Sequence, residues 1–410
     1  MAPVPPSLLS SSAVLEYINS CHRRRGASLA KQAFLTIDAF LASSAAANSD
    51  SSVHLAFSPP RTPWAPYRAI MSQTTGGMRY TLCDTYGAAA QAAEALSRHD
   101  TLILDCEGRD IGMPDGELGI IAIGDSTASH VYLFDTLALS NKQHPLLSRL
   151  FTLLRRPDIV KIVWDGRSDF FEIADTYGVL TQGVVDLQLA EAAQRARNPR
   201  KRKGFRAGHT LQYFKKIQDE LLAEPATLDD IHRLFGLDHC ARLFHVLDES
   251  GGKDPAVVAM HYERGGDMWM VRPLPALLLR YSCHDIEMIA AMYARFTKFL
   301  KPLDELKAMT ERYLHSYPTR ELRALHASLD LCKFVPMDVL TPPIPNTMRY
   351  HCTRCERMLS LSCFSLHYAD VQGSGETSNS QPLVRMSTCR LCTLIAQRNS
   401  EPIVTEWIVI

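Results

Sequence analysis

The sequence TLILDCEG at residues 101–108 joins a short apolar run to two acids, and the core of the protein is expected to begin here. A run of this length and composition predicts a buried strand. The stretches GIIAIGD (119–125) and VYLFD (131–135) have the same character, and the turn-prone sequence DSTAS lies between them. The three runs together predict an antiparallel meander.

On both sides of this meander the sequence has the periodicity of helices, and further strands follow it. Helices are predicted at Ala88–Leu96, 146–154, 169–179 and from 187 onward, and strands at 161–165 (KIVWD) and 184–186 (VVD). A meander followed by alternating strands and helices predicts an α/β fold in which helices pack on both faces of a mixed β-sheet. Beyond residue 195 the pattern is helical almost to residue 328, with a long helix predicted at 276–300.

Composition divides the chain into four parts. The predicted parts are an N-terminal appendage at 1–78 that is partly disordered, a main domain at 79–302 with a basic, helical insertion around 195–270, a helix and linker at 303–346, and a cysteine-rich module at 347–400. The linker assignment rests on PPIPN at 342–346, because three prolines disfavour both helix and central strand.

The acids at the end of the first strand point to a specific chemistry. Asp105 and Glu107 are two residues apart, so on a strand their side chains share one face. Burying two neighbouring carboxylates is costly unless they share a proton or bind cations. Taken alone, the pair is better explained as two solvated acids at a strand end, because most acids in that position are solvated.

Two further elements supply acids that can join this pair. KIVWDGRSDF contains Asp165 and Asp169 where a strand gives way to a helix, and capping of that helix is the commoner use of Asp at such a position. In YSCHD, Tyr281 and Asp285 are four residues apart and therefore lie on one helical face.

Residues 80–300 resemble the ribonuclease D-like 3′-5′ exonucleases, a superfamily with a ribonuclease H-like mixed sheet flanked by helices. The resemblance depends on Asp-x-Glu at Asp105 and Glu107, on KIVWDGRSD with Asp169 as the second-motif acid, and on Tyr281-x-x-x-Asp285. The phrase MWMVRPLPALLLRYSCHD, with Trp269 and Arg272 to Pro275, is also similar to many members. Position 280 holds Arg where the histidine branch has His, so the resemblance implies the tyrosine (DEDDy) branch.

The resemblance implies hydrolysis of the terminal phosphodiester with two Mg²⁺ or Mn²⁺ ions and release of nucleoside 5′-monophosphates. It implies that Asp105 bridges both ions, that Glu107 and Asp285 complete the first site, and that Asp169 holds the second. Tyr281 would orient the attacking water. Asp165 and Asp186 do not match the catalytic acids, and they are assigned to loop geometry or capping and to a strand end.

A basic segment lies between the second and third motifs. No acid occurs between Ala192 and Gln218, and this segment supplies the candidate nucleic-acid-binding residues Arg200, Lys201, Arg202, Lys203 and Arg206. Such a surface attracts phosphate backbones. PRKRKGFR also resembles a nuclear-localisation signal, and a solvated loop without a partner is the competing explanation.

Near the C-terminus, Cys352-x-x-Cys355 and Cys389-x-x-Cys392 have the spacing of a tetrahedral Zn²⁺ site. The intervening stretch is longer than in most zinc ribbons, and Cys363, His351 and His367 are potential substitute ligands. Free reduced thiols are the alternative. A zinc module of this size binds either protein or nucleic acid, so a protein partner is a further expectation.

The composition narrows the class of protein. Lys plus Arg and Asp plus Glu are both 44, so net charge alone indicates no polyanionic partner. The eleven cysteines favour reduced thiols in the nucleus or cytoplasm over a disulfide framework. No apolar run is long enough for a membrane span, so no membrane association is expected. The Ser- and Ala-rich start, with Arg23 to Arg25, faintly resembles a transit peptide.

The sequence therefore predicts an exonuclease acting on 3′ ends of RNA or single-stranded DNA. Two alternatives remain at this stage. One is an exonuclease-like scaffold that binds RNA or protein without cutting, and the other is an adaptor whose zinc module recruits partners. Because every motif residue is present, the sequence favours the enzyme.

Overall fold

The computed structural model describes the sheet and the helices that the sequence predicts, together with the cysteine-rich C-terminal part. The described residues are 73–75, 78–197, 207–247, 252–298, 302–368, 382–403 and 406–410. Most of the predicted appendage and the five candidate nucleic-acid-binding residues lie outside this set, so those predictions stay predictions.

A seven-stranded mixed sheet forms the centre of the molecule, as the sequence predicts. Its strands are β1 (Gln73–Thr75), β2 (Met78–Cys83), β3 (Thr101–Arg109), β4 (Glu117–Asp125), β5 (His130–Asp135), β6 (Val160–Val163) and β7 (Val184–Asp186). They lie in the order β1-β2-β5-β4-β3-β6-β7. Strands β3, β4 and β5 form the expected antiparallel meander, whereas β6 runs parallel to β3 and β7 parallel to β6.

The described residues also contain α-helices. They are α1 (Tyr86–Leu96), α2 (Ser148–Arg155), α3 (Arg167–Tyr177), α4 (Leu187–Arg197), α5 (Ala207–Tyr213), α6 (Gln218–Ala223), α7 (Leu237–Leu243), α8 (Pro255–Arg264), α9 (Ala276–Phe296), α10 (Leu303–Leu314), α11 (Arg320–Ser328) and α12 (Arg390–Asn399). Short 3₁₀ segments occur at Pro145–Leu147, Lys215–Ile217, Pro225–Leu228, Gly265–Met270, Leu331–Lys333 and Leu361–Cys363.

The two faces of the sheet are covered by different helices because side chains alternate along each strand. Leu102 and Leu104 pack into the core formed with α1, α2 and α3. Ile103 points the other way, into the core formed with α4, α9 and α10. Asp105 and Glu107 follow Ile103 in this alternation, so they lie on the face covered by α9.

Helix α9 lies close against the sheet at a glycine. A Cβ atom at Gly124 of β4 would come within 2.8 Å of Cγ2 of Ile286, so only glycine leaves room for this approach. The helix is amphipathic, and its buried face includes Leu278, Ile286 and Ile289. It ends at Phe296, four residues before the predicted end.

The C-terminal part contains two small sheets and α12. Strands β8 (Tyr350–His351) and β9 (Met358–Leu359) form a hairpin, and β10 (Phe364–Tyr368), β11 (Leu383–Cys389) and β12 (Trp407–Val409) form an antiparallel sheet. The apolar core of this C-terminal part is continuous with residues from earlier in the chain. The four motif cysteines share one apolar cluster with Tyr213, Phe214 and Ile217 of the insertion and with Leu331 and Phe334.

Three predicted boundaries differ from the elements observed. Strand β1 falls inside the predicted appendage but pairs with β2, and three residues are too few to reveal strand alternation in the sequence. Helix α10 was expected to belong to a linking segment, yet it packs into the main core through Leu306 and Met309. Strand β12 lies beyond residue 400 and pairs with β11, so the module extends to Val409. Long-range pairing and packing of this kind cannot be read from local composition.

The segment 342–346 contains neither helix nor strand, which agrees with its three prolines. Among the described residues, no helix combines the length and apolar character needed to cross a membrane.

Candidate active site and cysteine site

The register of β3 against β4 fixes the positions of two carboxylates of the candidate site. Asp105 lies opposite Ala122 and Glu107 opposite Ile120 in the antiparallel pair with β4. Both side chains are half-buried. A register irregularity follows directly between Glu107 and Gly108, so regular pairing is interrupted just past the two acids.

Helix α9 brings the third carboxylate to the same place. Oxygen atoms of Asp105, Glu107 and Asp285 all lie within 4.8 Å of one another. Asp285 is only 4% exposed. Tyr281 is one turn earlier on the same helical face, with its ring centroid 6.1 Å from that of Trp269. The structure therefore brings together four of the five predicted catalytic residues.

Asp169 lies next to this trio but is not part of it. It occupies the first turn of α3 and is 8% exposed. Burial, together with the charges of Asp105 and Asp165, raises the pKa of Asp169 well above its ordinary value. The carboxylates of Asp169 and Asp105 therefore interact electrostatically, although Asp169 is not one of the three acids that meet within 4.8 Å.

Burial and mutual repulsion dominate the electrostatics of the trio. They raise the pKa of Asp105 to about 7, with Asp285 as the main repelling charge. The pKa of Glu107 is also well above its ordinary value, because of burial and then of Asp105 and Asp285. Without a cation the site is therefore inclined to hold protons.

The donor set fits hard divalent cations. All the candidate ligand atoms are carboxylate oxygens, which Mg²⁺ and Mn²⁺ prefer. Oδ1 of Asp285 is buried without a hydrogen-bond partner among the described residues. An unpartnered buried acceptor is costly, and a bound cation would remove that cost.

Comparison with known proteins decides the class of this site. Residues 80–213 match the family model described as 3′-5′ exonuclease. The chain contains a 3′-5′ exonuclease domain. The match confirms the expected resemblance to 3′-5′ exonucleases and the expected enzyme class, a metal-dependent hydrolase that acts on nucleic acid from the 3′ end. It spans the first two motifs, whereas Tyr281 and Asp285 lie beyond its end.

Solved structures with a similar fold include three nucleases. Ribonuclease D of Trypanosoma brucei is 21% identical, with a TM-score of 0.46, and the match covers 59% of this chain and 73% of that one. Ribonuclease D of Escherichia coli is 20% identical over 62% of this chain and 56% of its own, with a TM-score of 0.37. The Nibbler EXO domain of Aedes aegypti is 17% identical over 56% and 93%, with a TM-score of 0.33. No curated protein sequence matches the chain.

Asp165 and Asp186 shape the loop that presents Asp169 to the exonuclease site. Asp165 is in the left-handed region, with φ of 56°, and accepts a hydrogen bond from the Tyr313 hydroxyl at 2.9 Å. Asp186 accepts from the backbone N–H groups of Asp165 at 3.1 Å and Gly166 at 3.2 Å. Loop geometry is thus the role of Asp165. The capping alternative is wrong, because Gly166 is the N-cap and no side chain caps α3.

Arg272 anchors the segment that leads into α9 of the exonuclease domain. Its Nε donates to Asp135 at 2.6 Å, its Nη1 to the carbonyl of Trp269 at 2.8 Å, and its Nη2 to the carbonyl of Gly119 at 2.9 Å. The motif residue therefore ties the start of α9 to the ends of β4 and β5. This explains why an arginine precedes the helix that carries Tyr281.

Lys253 is a functional candidate that sequence reasoning missed. Its Nζ lies 2.8 Å from the Tyr281 hydroxyl and 3.4 Å from Oδ2 of Asp285. Burial opposes its charge, but Asp285 and Tyr281 raise the pKa of Lys253 overall, so the side chain is protonated at neutral pH. Nothing in the sequence GGKDP distinguishes this lysine from a solvated one, because its partners are 28 and 32 residues away.

The four predicted zinc-ligand cysteines meet in a second cluster. Their sulfur atoms all lie within 4.8 Å of one another, and each residue is at most 3% exposed; the four are Cys352, Cys355, Cys389 and Cys392. The backbone N–H of Cys389 donates to Sγ of Cys352 at 3.2 Å. This set of four converging thiols is compatible with one Zn²⁺ ion.

The three substitute ligands considered from sequence lie outside the cysteine cluster. The Cys363 thiol contacts Oδ1 of Asp338 at 3.3 Å. His351 is exposed, and the ring of His367 lies 3.9 Å from that of Trp407. The long insertion between the two Cys-x-x-Cys pairs therefore leaves the four-cysteine arrangement intact.

Proposed function

We propose that this chain removes nucleotides from the 3′ ends of RNA or single-stranded DNA with two bound divalent cations, releasing nucleoside 5′-monophosphates. The single observation that carries the proposal is the convergence of Asp105, Glu107 and Asp285 on one half-open site. The match of residues 80–213 to the 3′-5′ exonuclease family supports it.

In this proposal the carboxylates are metal ligands. Asp105, Glu107 and Asp285 would hold one Mg²⁺ or Mn²⁺ ion, and Asp105 with Asp169 would hold the second. When bound, the cations activate water and neutralise the charge that develops on the leaving 3′-oxygen. Ionised carboxylates are needed for this, so cation binding releases the protons that the empty site is inclined to keep.

Tyr281 acts on the water in this scheme. Its phenolic hydroxyl both donates and accepts hydrogen bonds, and it is held one helical turn from Asp285 on the same face. A fixed hydroxyl restricts the attacking water to the orientation from which the P–O3′ bond is displaced. Because this chain has Arg280 where the histidine branch has its base, Tyr281 is the residue available for the task.

The decisive experiment is a degradation assay on the full chain with 5′-labelled oligonucleotides. RNA and DNA, each single- and double-stranded, would be compared with Mg²⁺ and with Mn²⁺. We expect stepwise shortening from the 3′ end and nucleoside 5′-monophosphates as products. Asp105→Asn should lose activity by roughly a thousandfold, because a shared cation ligand is lost.

Asp84→Asn is the matched control, since Asp84 is an exposed acid remote from the trio in sequence. It should leave the rate unchanged. If Asp105→Asn degraded RNA and DNA as fast as the wild type, the assignment would be wrong. Binding of RNA without cleavage by the wild type would favour the alternative of a non-cutting scaffold.

We further propose that Cys352, Cys355, Cys389 and Cys392 hold one Zn²⁺, and that Arg200, Lys201, Arg202, Lys203 and Arg206 contact the phosphate backbone. Metal analysis of the full chain tests the first. Replacing the five basic residues with Gln tests the second: affinity should fall about equally for all sequences, and its dependence on salt should weaken.

A further inference from the structure

One cation of the protein itself lies inside the candidate active site. Nζ of Lys253 is 2.8 Å from the hydroxyl oxygen of Tyr281 and 3.4 Å from Oδ2 of Asp285. It is also 5.2 Å from the centroid of the Tyr281 ring. The ammonium group therefore contacts the water-orienting residue and a metal-ligand residue at the same time.

Hydrogen bonds hold the backbone at Lys253 and at the residue that follows it. The Lys253 side chain is therefore not placed like a freely moving side chain on the surface. The Asp238 carboxylate accepts a hydrogen bond from the Lys253 N–H, and Asp254 caps α8 by accepting from the Ala256 N–H at 2.8 Å. Gly252 has φ of 130°, and a Cβ there would come within 2.6 Å of Oδ1 of Asp238. The chain is thus bent at glycine to direct Lys253 toward α9.

An ammonium group has consequences for Tyr281 that a neutral residue would not have. Lysine has three N–H donors and no acceptor, so at 2.8 Å it must donate to the phenolic oxygen. The hydroxyl proton of Tyr281 is then directed away from Lys253, and the Asp285 carboxylate is one acceptor for it. A hydroxyl with one side already bound has fewer orientations to lose when it binds water.

The same charge acts on the carboxylates. Three acids meet within 4.8 Å, and Lys253 is the cation in contact with one of them. It stabilises the trio when no metal is bound, but it repels any metal cation that binds to Asp285. Lys253 should therefore lower the affinity of the site for metal while improving the use of Tyr281.

We propose that Lys253 is a positioning residue of the exonuclease reaction, which orients the hydroxyl of Tyr281 and weakens metal binding through its charge. This inference rests on the proposed function. It differs from a purely structural role, in which Lys253 only pairs with Asp285 and supports folding.

The test uses the full chain with Lys253→Met and Lys253→Arg. The side chain is 39% exposed, so neither change should prevent folding, and thermal melts would verify this. At saturating Mn²⁺, Lys253→Met should lower kcat about tenfold with little change in KM for the oligonucleotide. Lys253→Arg keeps the charge and the donors and should recover most of the rate.

Two further measurements separate positioning from structural support. Calorimetry without nucleic acid should show that Lys253→Met binds Mn²⁺ about fivefold more tightly, because a repelling charge is gone. In a Tyr281→Phe background, Lys253→Met should lower kcat little further, because residues that act through one group are not additive.

Each outcome bears on the proposal. Weaker Mn²⁺ binding by Lys253→Met would overturn it, and so would a loss of kcat that multiplies fully with that of Tyr281→Phe. An active wild type with an unaffected Lys253→Met would overturn the positioning role alone. An inactive wild type would overturn the proposed function and the positioning role together, while the calorimetry would still decide whether Lys253 opposes metal.

Discussion

Two groups of residues are candidate metal sites: the carboxylate trio (Asp105, Glu107 and Asp285) and the cysteine quartet (Cys352, Cys355, Cys389 and Cys392). The two groups are built in opposite ways. The trio joins a strand and a helix that are 178 residues apart, from Glu107 to Asp285, and two of its members are half-buried. The quartet joins a turn at residues 352–355 to the junction of β11 and α12 at residues 389–392, and none of its four cysteines is more than 3% exposed. One site is open to solvent, and the other is closed by the protein.

This difference in exposure favours a catalytic role for the trio and a structural role for the quartet. An open set of oxygen ligands leaves room for water and substrate and binds cations that exchange readily. A closed set of four thiolates leaves no position for substrate, and its metal contributes folding energy instead. The two sites should therefore fail differently when a ligand is removed, and the following experiments exploit this contrast.

The largest effect is expected at the quartet. Cys392→Ser should abolish zinc binding, and zinc-finger peptides gain about 10 to 16 kcal/mol from their metal, so the module should unfold locally. Hydrogen exchange should increase in β11 and α12 and also around Phe214, which shares their core, while β3 and β4 stay protected. Cys363→Ser, a buried cysteine outside the quartet, should retain zinc; equal zinc loss in both variants would contradict this assignment.

Removing a ligand from the carboxylate trio should lower the rate of catalysis and leave the stability of the fold nearly unchanged. Asp285→Asn should lower the rate of 3′ trimming about a thousandfold, or about 4 kcal/mol in activation free energy, with little loss of thermal stability. Asp186→Asn should lower thermal stability as well as the rate, because Asp186 binds the backbone N–H groups of the loop that presents Asp169. A variant at 285 that kept its activity would show that the open site is not the catalytic one.

The next largest effect is expected in the apolar core that Phe334 shares with the four cysteines. Phe334 is fully buried, with its ring centroid 5.0 Å from that of Tyr213 and 5.5 Å from that of Phe214. Phe334→Ala should lower the unfolding free energy by about 3 to 5 kcal/mol and speed zinc release to a chelator. Leu96→Ala, in the separate core formed with α1, α2 and α3, should destabilise the fold without changing zinc release. Identical zinc release in the two variants would disprove the shared core.

The smallest effect is the pH dependence of the trio. Without added Mg²⁺ or Mn²⁺, the folded protein holds a proton on Asp105 up to a pKa of about 7, whereas the ordinary value is 3.8. The folded state then binds more protons than the unfolded state between these values, so stability should fall as pH rises from about 4 to about 7. Urea denaturation across this range should show the decline, and Asp105→Asn should reduce it. The same slope in both proteins would assign the decline to other groups.

The shared core also changes how the zinc module must be tested. Deleting residues after 340 would expose Phe214, Leu331 and Phe334, which now pack against the module. Arg390 also donates to the carbonyl of Ala226 at 3.2 Å, and Arg398 to that of Tyr213 at 2.7 Å. Loss of activity on truncation would therefore not distinguish recruitment from stability, whereas point substitutions in the full chain would.

Much of the fold and of the site was predictable from sequence, because it depends on local patterns. The apolar runs around Asp105 predicted the meander, and the two-residue and four-residue spacings predicted which acids share a face. Lys253, β12 and the packing of α10 were not predictable. Each depends on contacts between residues far apart in the chain, and no local periodicity encodes them.

The sequence by itself determined which ligand atoms each candidate site can offer: carboxylate oxygens at Asp105, Glu107, Asp169 and Asp285, and sulfur atoms at four cysteines. Ligand chemistry is a property of side chains, so it can be read without coordinates. Only the tertiary structure decided that three of the carboxylates meet while Asp169 lies beside them, that Lys253 enters their space, and that the module shares its core with the insertion. Those relations follow from how strands and helices pack, which brings distant residues within a few ångströms.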